Sequence, residues 1–491
     1  RFGRLREKFR NRNYDKAEAD AIAVVERKAA KDLAPIIKKA EEGKKAAAVF
    51  VWMAVWWATE AVPVPVTALV PLAAFPILGI VDIQAAANPY ANKTIYLFFG
   101  GFLLATAIQK WDLHKRIALF VLENVGSNGA SLVLGFMVTA AVISMWVMNT
   151  ATTIMLLPIG LAVITVVKET VKGLSDEETE NFQLSLLLGI AYGATIGGMS
   201  TLIGTGPNGM LAAFMSDNYN LDISFVDWMK VGVPLSAVML PASWLILTRV
   251  IYPVKFETSR ETTDLLASMK QELGNFDGPE VKVFFVFVAT ALAWMFRTVL
   301  DDIPGLSGLS DAGIAMISAL LLFLLPSGHK DTKGPLLEWK DAQENVPWGL
   351  LVLFGGGLSL ANAVQSTGLA IWIGNLIPSG ISIVLIVILV VALIIFLTEL
   401  TSNMATTATF LPVVAALAIQ SEFDPILVTA AVALAASCAF MLPVATPPNA
   451  IVFGSGLIKV PQMAKAGFLL NVLGIIVVSF VAAISVPYFL L

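Results

Sequence analysis

Charge is scarce in this sequence. Only 14% of its 491 residues are Asp, Glu, Lys or Arg, where a soluble domain carries about 25%. With 57% hydrophobic residues and a mean hydropathy of +0.79, the chain reads as a polytopic membrane protein whose partners include membrane lipid. Cysteine is almost absent. The single Cys438 excludes an internal disulfide and any multi-thiolate metal site. Histidine is nearly as rare. His114 and His329 are too few for a His-based metal centre, and both sit beside charged residues at span ends, where they read as interfacial. No His/Cys/Asp constellation is present, which argues against an enzyme. Basic residues concentrate in residues 1–45, but the fourteen Lys/Arg there are interspersed with eight Asp/Glu. That mixture reads as a surface helix and not as a nucleic-acid arm. This long polar start shows no cleavable signal peptide.

What the sequence does hold is a polar knot between two apolar arms. Glu399-Leu400-Thr401-Ser402-Asn403-Met404-Ala405-Thr406-Thr407 separates an Ile/Val/Leu-rich run from a second apolar run. The pattern predicts a helical hairpin that dips into the membrane. Irregular backbone is tolerated at that depth only where it is buried in protein or lines a cavity. An earlier stretch matches it: Met148-Asn149-Thr150-Ala151-Thr152-Thr153. Each knot is followed by a second signal, Gly204-Thr205-Gly206-Pro207-Asn208 in one case and Ala445-Thr446-Pro447-Pro448-Asn449 in the other. Paired Gly/Pro-interrupted segments in two halves are the best sequence pointer to a transporter's binding site.

The expected fold is all-α, with two re-entrant hairpins (129–167 and 380–420) and two broken transmembrane helices (183–215 and 424–456). Other apolar segments lie at 46–62, 64–82, 94–109, 231–252, 283–299, 312–325, 348–365 and 467–489, each near the ~20 residues that span a bilayer. The division is a polar segment 1–45, a first repeat 46–254, a charged cytoplasmic loop 255–282 and a second repeat 283–491. Basic residues mark the cytoplasmic side. Lys110, Lys115, Arg116, Lys168 and Lys172 then lie inside, and the acidic loop 216–229 outside. The two hairpins enter from opposite faces, which makes the duplication inverted. The same count puts the basic start of the chain outside, against the charge rule.

Neither hairpin tip nor broken span contains Lys or Arg. The tips offer Asn, Thr and Ser side chains, carbonyls and helix ends. Unwound carbonyls suit a desolvated Na⁺, and helix N-termini suit anions. An anion in such a site needs compensating charge, which co-bound Na⁺ would supply. Glu399 reads either as a ligand or as a structural hydrogen-bond acceptor. Glu60 reads as interfacial, and Gly355-Gly356-Gly357 as close helix packing.

Together with Trp57-Ala58-Thr59-Glu60-Ala61-Val62-Pro63 and Leu113-His114-Lys115-Arg116-Ile117-Ala118-Leu119, these motifs resemble the divalent anion–sodium symporter family, the dicarboxylate and citrate carriers, over roughly residues 46–491. The resemblance implies a homodimer in the plasma (inner) membrane, an elevator movement, and Na⁺ bound with a di- or tricarboxylate. It implies a first Na⁺ site at Ser144, Asn149 and the carbonyls of Met148 and Gly204. The second would use Thr398, Asn403 and the carbonyls of Thr401 and Ala445. Substrate would meet Asn149, Thr150 and Thr205 from one half, and Ser402, Asn403, Thr446 and Pro447 from the other. Three residues depart from the family pattern. Met148 replaces a Ser at the first tip, Met404 replaces a Thr at the second, and Gly206 replaces a Pro, which is expected to loosen that break. The leading reading is Na⁺-coupled transport of C4 dicarboxylates. A Na⁺-independent exchanger and an anion channel are the alternatives.

Overall fold

The computed structural model describes residues 31, 34–123, 128–329, 334–375 and 382–490. The fold is all-α. Among the described residues the only extended pairings are two isolated bridges, Asn128–Glu257 and Pro326–Pro335. Among the described residues, seven helices are long and apolar enough to cross a membrane: Ile83–Lys110, Asn149–Thr170, Phe225–Ile251, Gly278–Met295, Trp348–Ser366, Asn403–Gln420 and Val460–Phe489. Shorter apolar helices include Gly129–Ser144, Ile383–Thr398 and Pro425–Ala436. Their ends are set locally. Asn92, Asn128, Ser224, Asp277, Ser310, Ser382 and Asp424 each cap a helix with a side-chain oxygen, satisfying N–H groups that hydrocarbon cannot.

Both hairpins form where the polar knots lie. The first joins Gly129–Ser144 to Asn149–Thr170, and the second joins Ile383–Thr398 to Asn403–Gln420. Both spans break at the Gly/Pro signals. Asp176–Gly198 gives way to Gly206–Tyr219, and Pro425–Ala436 to Pro447–Phe453. The glycine run 355–357 is a packing device, as its sequence suggested. A Cβ at Gly356 would stand 2.2 Å from the Ala68 carbonyl oxygen, and one at Gly355 2.3 Å from the Tyr90 ring.

Three elements differ from expectation. Residues 1–30, 32 and 33 of the polar segment lie outside the described residues, but from residue 34 a single helix runs through 45 to 59 without a break. It begins beside Thr367 and Gly368, at the end of the molecule that carries the Tyr219–Gln365 bond and the Lys93–Asp222 ion pair. That end also holds the acidic segment 216–229. The stretch 255–282 is not simply a loop, because it contains the helix Arg260–Glu272. Leu265, Leu266, Met269 and Leu273 form its inner stripe, and Lys270 pairs with Glu123. The charged outer face masked that periodicity in sequence. His114 is buried, with Nδ1 3.1 Å from the Ile108 carbonyl oxygen. Burial lowers its pKa below the ordinary value. Beside it, Arg116 is paired with Glu280 and donates to the carbonyls of Leu273, Gly274 and Asn275. It thereby closes the end of the 260–272 helix and ties the surface helix Leu113–Glu123 to the next span.

Candidate functional site

Four helices begin at the two knots and two breaks. Their N-cap residues are Met148, Thr205, Ser402 and Thr446. All four line one cavity of about 500 Å³. It is bounded further by Asn149, Thr150, Gly204, Asn403, Met404, Ala445 and Pro447, and by Glu60, Val64, Phe98, Phe102 and Leu350. Converging helix N-termini present free N–H groups and the positive ends of helix dipoles. Thr205 and Ser402 make no side-chain cap bond, so their hydroxyls remain available to a ligand. Pro447 has no N–H and contributes shape. Among the described residues no Lys, Arg or His lines the cavity, and Glu60 is its single charged residue.

Each tip also gathers oxygens. The terminal amide atom of Asn149 lies against the Ser144 hydroxyl, 3.2 Å from the Gly204 carbonyl oxygen and 3.3 Å from that of Ala194. With nitrogen at that position the amide donates to all three. With oxygen there, four oxygens face one another and share a single hydroxyl proton. The second arrangement is what a small hard cation requires, so this donor set fits Na⁺ when Oδ1 faces inward. At the second tip the Thr398 hydroxyl lies 2.9 Å from Asn403 Oδ1 and 3.0 Å from the Ala436 carbonyl oxygen. Thr153 and Thr407 close each tip by donating to the carbonyls of Asn149 and Asn403, both at 2.8 Å. Close backbone approach is built in, since a Cβ at Gly204 would stand 2.4 Å from the Gly198 carbonyl oxygen. Thr401 instead bonds Thr406 and the Leu397 carbonyl through its side chain.

Two residues that sequence reasoning did not assign, one at each break, hold the breaks open. Asn208 donates to the carbonyls of Gly198, Met199 and Thr201. Asn449 donates to those of Ala439 and Leu442. Both asparagines are fully buried, and both were visible only as the last residue of each break motif. Glu399 resolves to a structural acceptor. Its carboxylate takes N–H bonds from Phe440, Met441 and Leu442 at 2.8–3.1 Å and from Asn471 at 2.7 Å. It pins the unwound chain that the second break leaves without helical partners.

Gly206 does not loosen the first break. Its N-cap Thr205 (φ −142°, ψ 145°) matches Thr446 (φ −142°, ψ 150°) at the second. The glycine serves a different contact: a Cβ there would lie 2.2 Å from Met404 Sδ. Two departures from the family pattern therefore touch across the cavity, and one makes room for the other.

The chain matches the family described as sodium:sulfate symporter transmembrane region over residues 36–489. It is 38% identical over 451 residues to the sodium-dependent dicarboxylate transporter SdcS of Staphylococcus saprophyticus, covering 91% of this chain and 87% of that protein. The SdcS of Staphylococcus aureus strain bovine RF122 is 40% identical over 452 residues, covering 91% and 86%. Among solved structures, the YdaH transporter of Alcanivorax borkumensis has a TM-score of 0.55 at 12% identity, covering 90% of this chain and 98% of its own. MtrF of Neisseria gonorrhoeae scores 0.54 at 11% identity, covering 82% and 83%. At those identities the likeness concerns the fold alone. The match over nearly the whole chain and the close relatives agree: this polytopic, all-α chain, a transporter and not an enzyme, belongs to the sodium:sulfate symporter transmembrane family.

Proposed function

We propose that this protein carries C4 dicarboxylates of the succinate, malate and fumarate type across the membrane, coupled to Na⁺. The observation that carries the reading is a cavity ringed by four helix N-termini, without a cationic side chain among the described residues that line it, and flanked by two oxygen clusters. One pair of N-termini belongs to each half. Such paired anion sites suit a molecule with a carboxylate at each end better than a compact sulfate. The names of the 38–40% identical relatives support the same substrate class and ion.

In this proposal Ser144 and Asn149, with the carbonyls of Met148 and Gly204, hold one Na⁺. Thr398 and Asn403, with the carbonyls of Thr401 and Ala445, hold the other. The carboxylates meet Asn149, Thr150 and Thr205 at one end, and Ser402, Asn403 and Thr446 at the other, beside Pro447. Each Asn offers a carbonyl to the cation and an NH₂ to the anion, which places the two ligands in contact. Bound Na⁺ supplies the positive charge that the neutral site lacks. Transport proceeds by an elevator movement of the two hairpins and broken helices, arranged as an inverted repeat, against the remaining helices of a homodimer.

The test is radiolabelled succinate uptake into proteoliposomes, with Na⁺ replaced by choline at constant ionic strength. Uptake should require Na⁺. Succinate affinity should rise with Na⁺, and Na⁺ affinity with succinate by the same factor. Asn149→Ala and Asn403→Ala should each abolish uptake in folded protein. Succinate binding that ignores Na⁺ would overturn the coupling.

A further inference from the structure

The geometry points to Glu60 as a charge filter at the mouth of the cavity. It disfavours anions more highly charged than a dicarboxylate and draws Na⁺ inward ahead of them. This rests on the carrier reading above. Three observations carry it. Among the described residues Glu60 is the single charged side chain on the cavity wall. It is exposed, and among the described residues no hydrogen-bond or ion-pair partner neutralises its charge. Its backbone is left-handed, with φ 47°, a region that non-glycine residues seldom occupy. The chain therefore holds a carboxylate at a corner where glycine or asparagine would sit more easily.

Its place on the wall gives the charge a direction. Glu60 ends the helix that reaches residue 59, beside Val64 and Leu350. The helix N-termini and tip asparagines line the same cavity, and a sphere of about 500 Å³ is roughly 10 Å across. Across that width, in a partly aqueous space, one charge pair alters binding by about fourfold. The effect scales with ligand charge. A trianion is penalised about fourfold more than a dianion, and a dianion about fourfold more than a monoanion. A cation is favoured by the same field.

Competition against radiolabelled succinate binding to the purified protein, in saturating Na⁺ and low ionic strength at pH 7.5, tests this. The competitors are monomethyl succinate, unlabelled succinate and citrate. Glu60→Gln should tighten all three, in order of charge, with citrate gaining about fourfold over succinate. The gain should shrink when choline chloride is raised. Glu60→Asp keeps the charge and should behave as the unaltered protein. Glu60→Gly removes both charge and backbone strain, and should match Glu60→Gln if charge is what acts. An equal gain for all three competitors, no gain, or a gain insensitive to salt would overturn the filter. Loss of Na⁺-dependent succinate binding in the unaltered protein would instead overturn the carrier reading.

Discussion

A single added carbon at Gly206 tests how the two halves of the cavity interlock. In Gly206→Ala the new Cβ would stand 2.2 Å from Met404 Sδ and 3.1 Å from its Cγ. No such contact is possible, so the thioether must leave its place. Met404 is nearly buried, and forcing it out of a packed position costs about 1–3 kcal/mol. Met404→Ala alone removes the obstacle but leaves a gap, at about 2–5 kcal/mol. In the double variant the methyl added at position 206 enters space that Met404 has vacated. The first substitution should then cost nothing, or stabilise by up to about 1 kcal/mol through the stiffer unfolded chain. The expected coupling is about 1–3 kcal/mol. Equilibrium unfolding of the four proteins in one mixed-micelle system measures it. Additivity within about 0.5 kcal/mol would show that Met404 does not occupy the Gly206 notch. The same set bears on specificity: Met404→Thr, which shortens the chain and adds a hydroxyl, should change inhibition by citrate relative to succinate.

Asn208→Ala and Asn449→Ala each remove the donor that collects the unwound carbonyls, at an expected cost of about 1–3 kcal/mol. Succinate binding should fall with stability, because Thr205 and Thr446 lie on the same breaks; a variant with full stability and binding would remove the clamp role. Glu399→Gln replaces an acceptor of four N–H groups by a side chain that is half donor, and should destabilise by about 1–3 kcal/mol in the same unfolding assay. Burial lowers the pKa of His114 below the 6.5 of the unfolded chain. The unfolded state therefore binds more proton as pH falls, and stability present above about 6.5 is lost below it. Thermal midpoints between pH 7.5 and 5.5 should fall more steeply for the unaltered protein than for His114→Asn; parallel slopes would exclude this histidine as the source.

The hairpins and breaks were legible because each combines an absence with a presence. Apolar runs cannot leave backbone groups bare in hydrocarbon, so Asn149, Thr205, Asn403 and Thr446 could only mark irregular backbone folded against protein. What stayed hidden depended on partners remote in sequence. Nothing around Gly206 names Met404, and nothing around Glu399 names the N–H groups of 440–442. The helix Arg260–Glu272 was hidden for another reason. Its stripe of Leu265, Leu266, Met269 and Leu273 is narrow, and the charges outside it dominate any average over the segment. His114 read as interfacial because its neighbours Asp112, Lys115 and Arg116 are charged, yet it occupies the inner face of an amphipathic turn.

The absence of Lys and Arg from the described residues of the cavity wall is informative in its own right. A fixed guanidinium would hold a dianion whether or not a second ion were present, since its charge cannot be withdrawn. Neutral hydroxyls, amides and helix ends bind the dianion only partly, and an uncompensated buried charge is costly. Occupancy then becomes conditional on the cation, which is the property that coupling requires. The two oxygen clusters lie at the hairpin tips, beside the helix ends that face the anion. A ligand that binds only when its partner is present differs in energy between the two states by the coupling free energy itself. In the proposed carrier that energy comes from cation–anion contact across Asn149 and Asn403, and the hairpin tips and helix ends contribute geometry without a charged side chain.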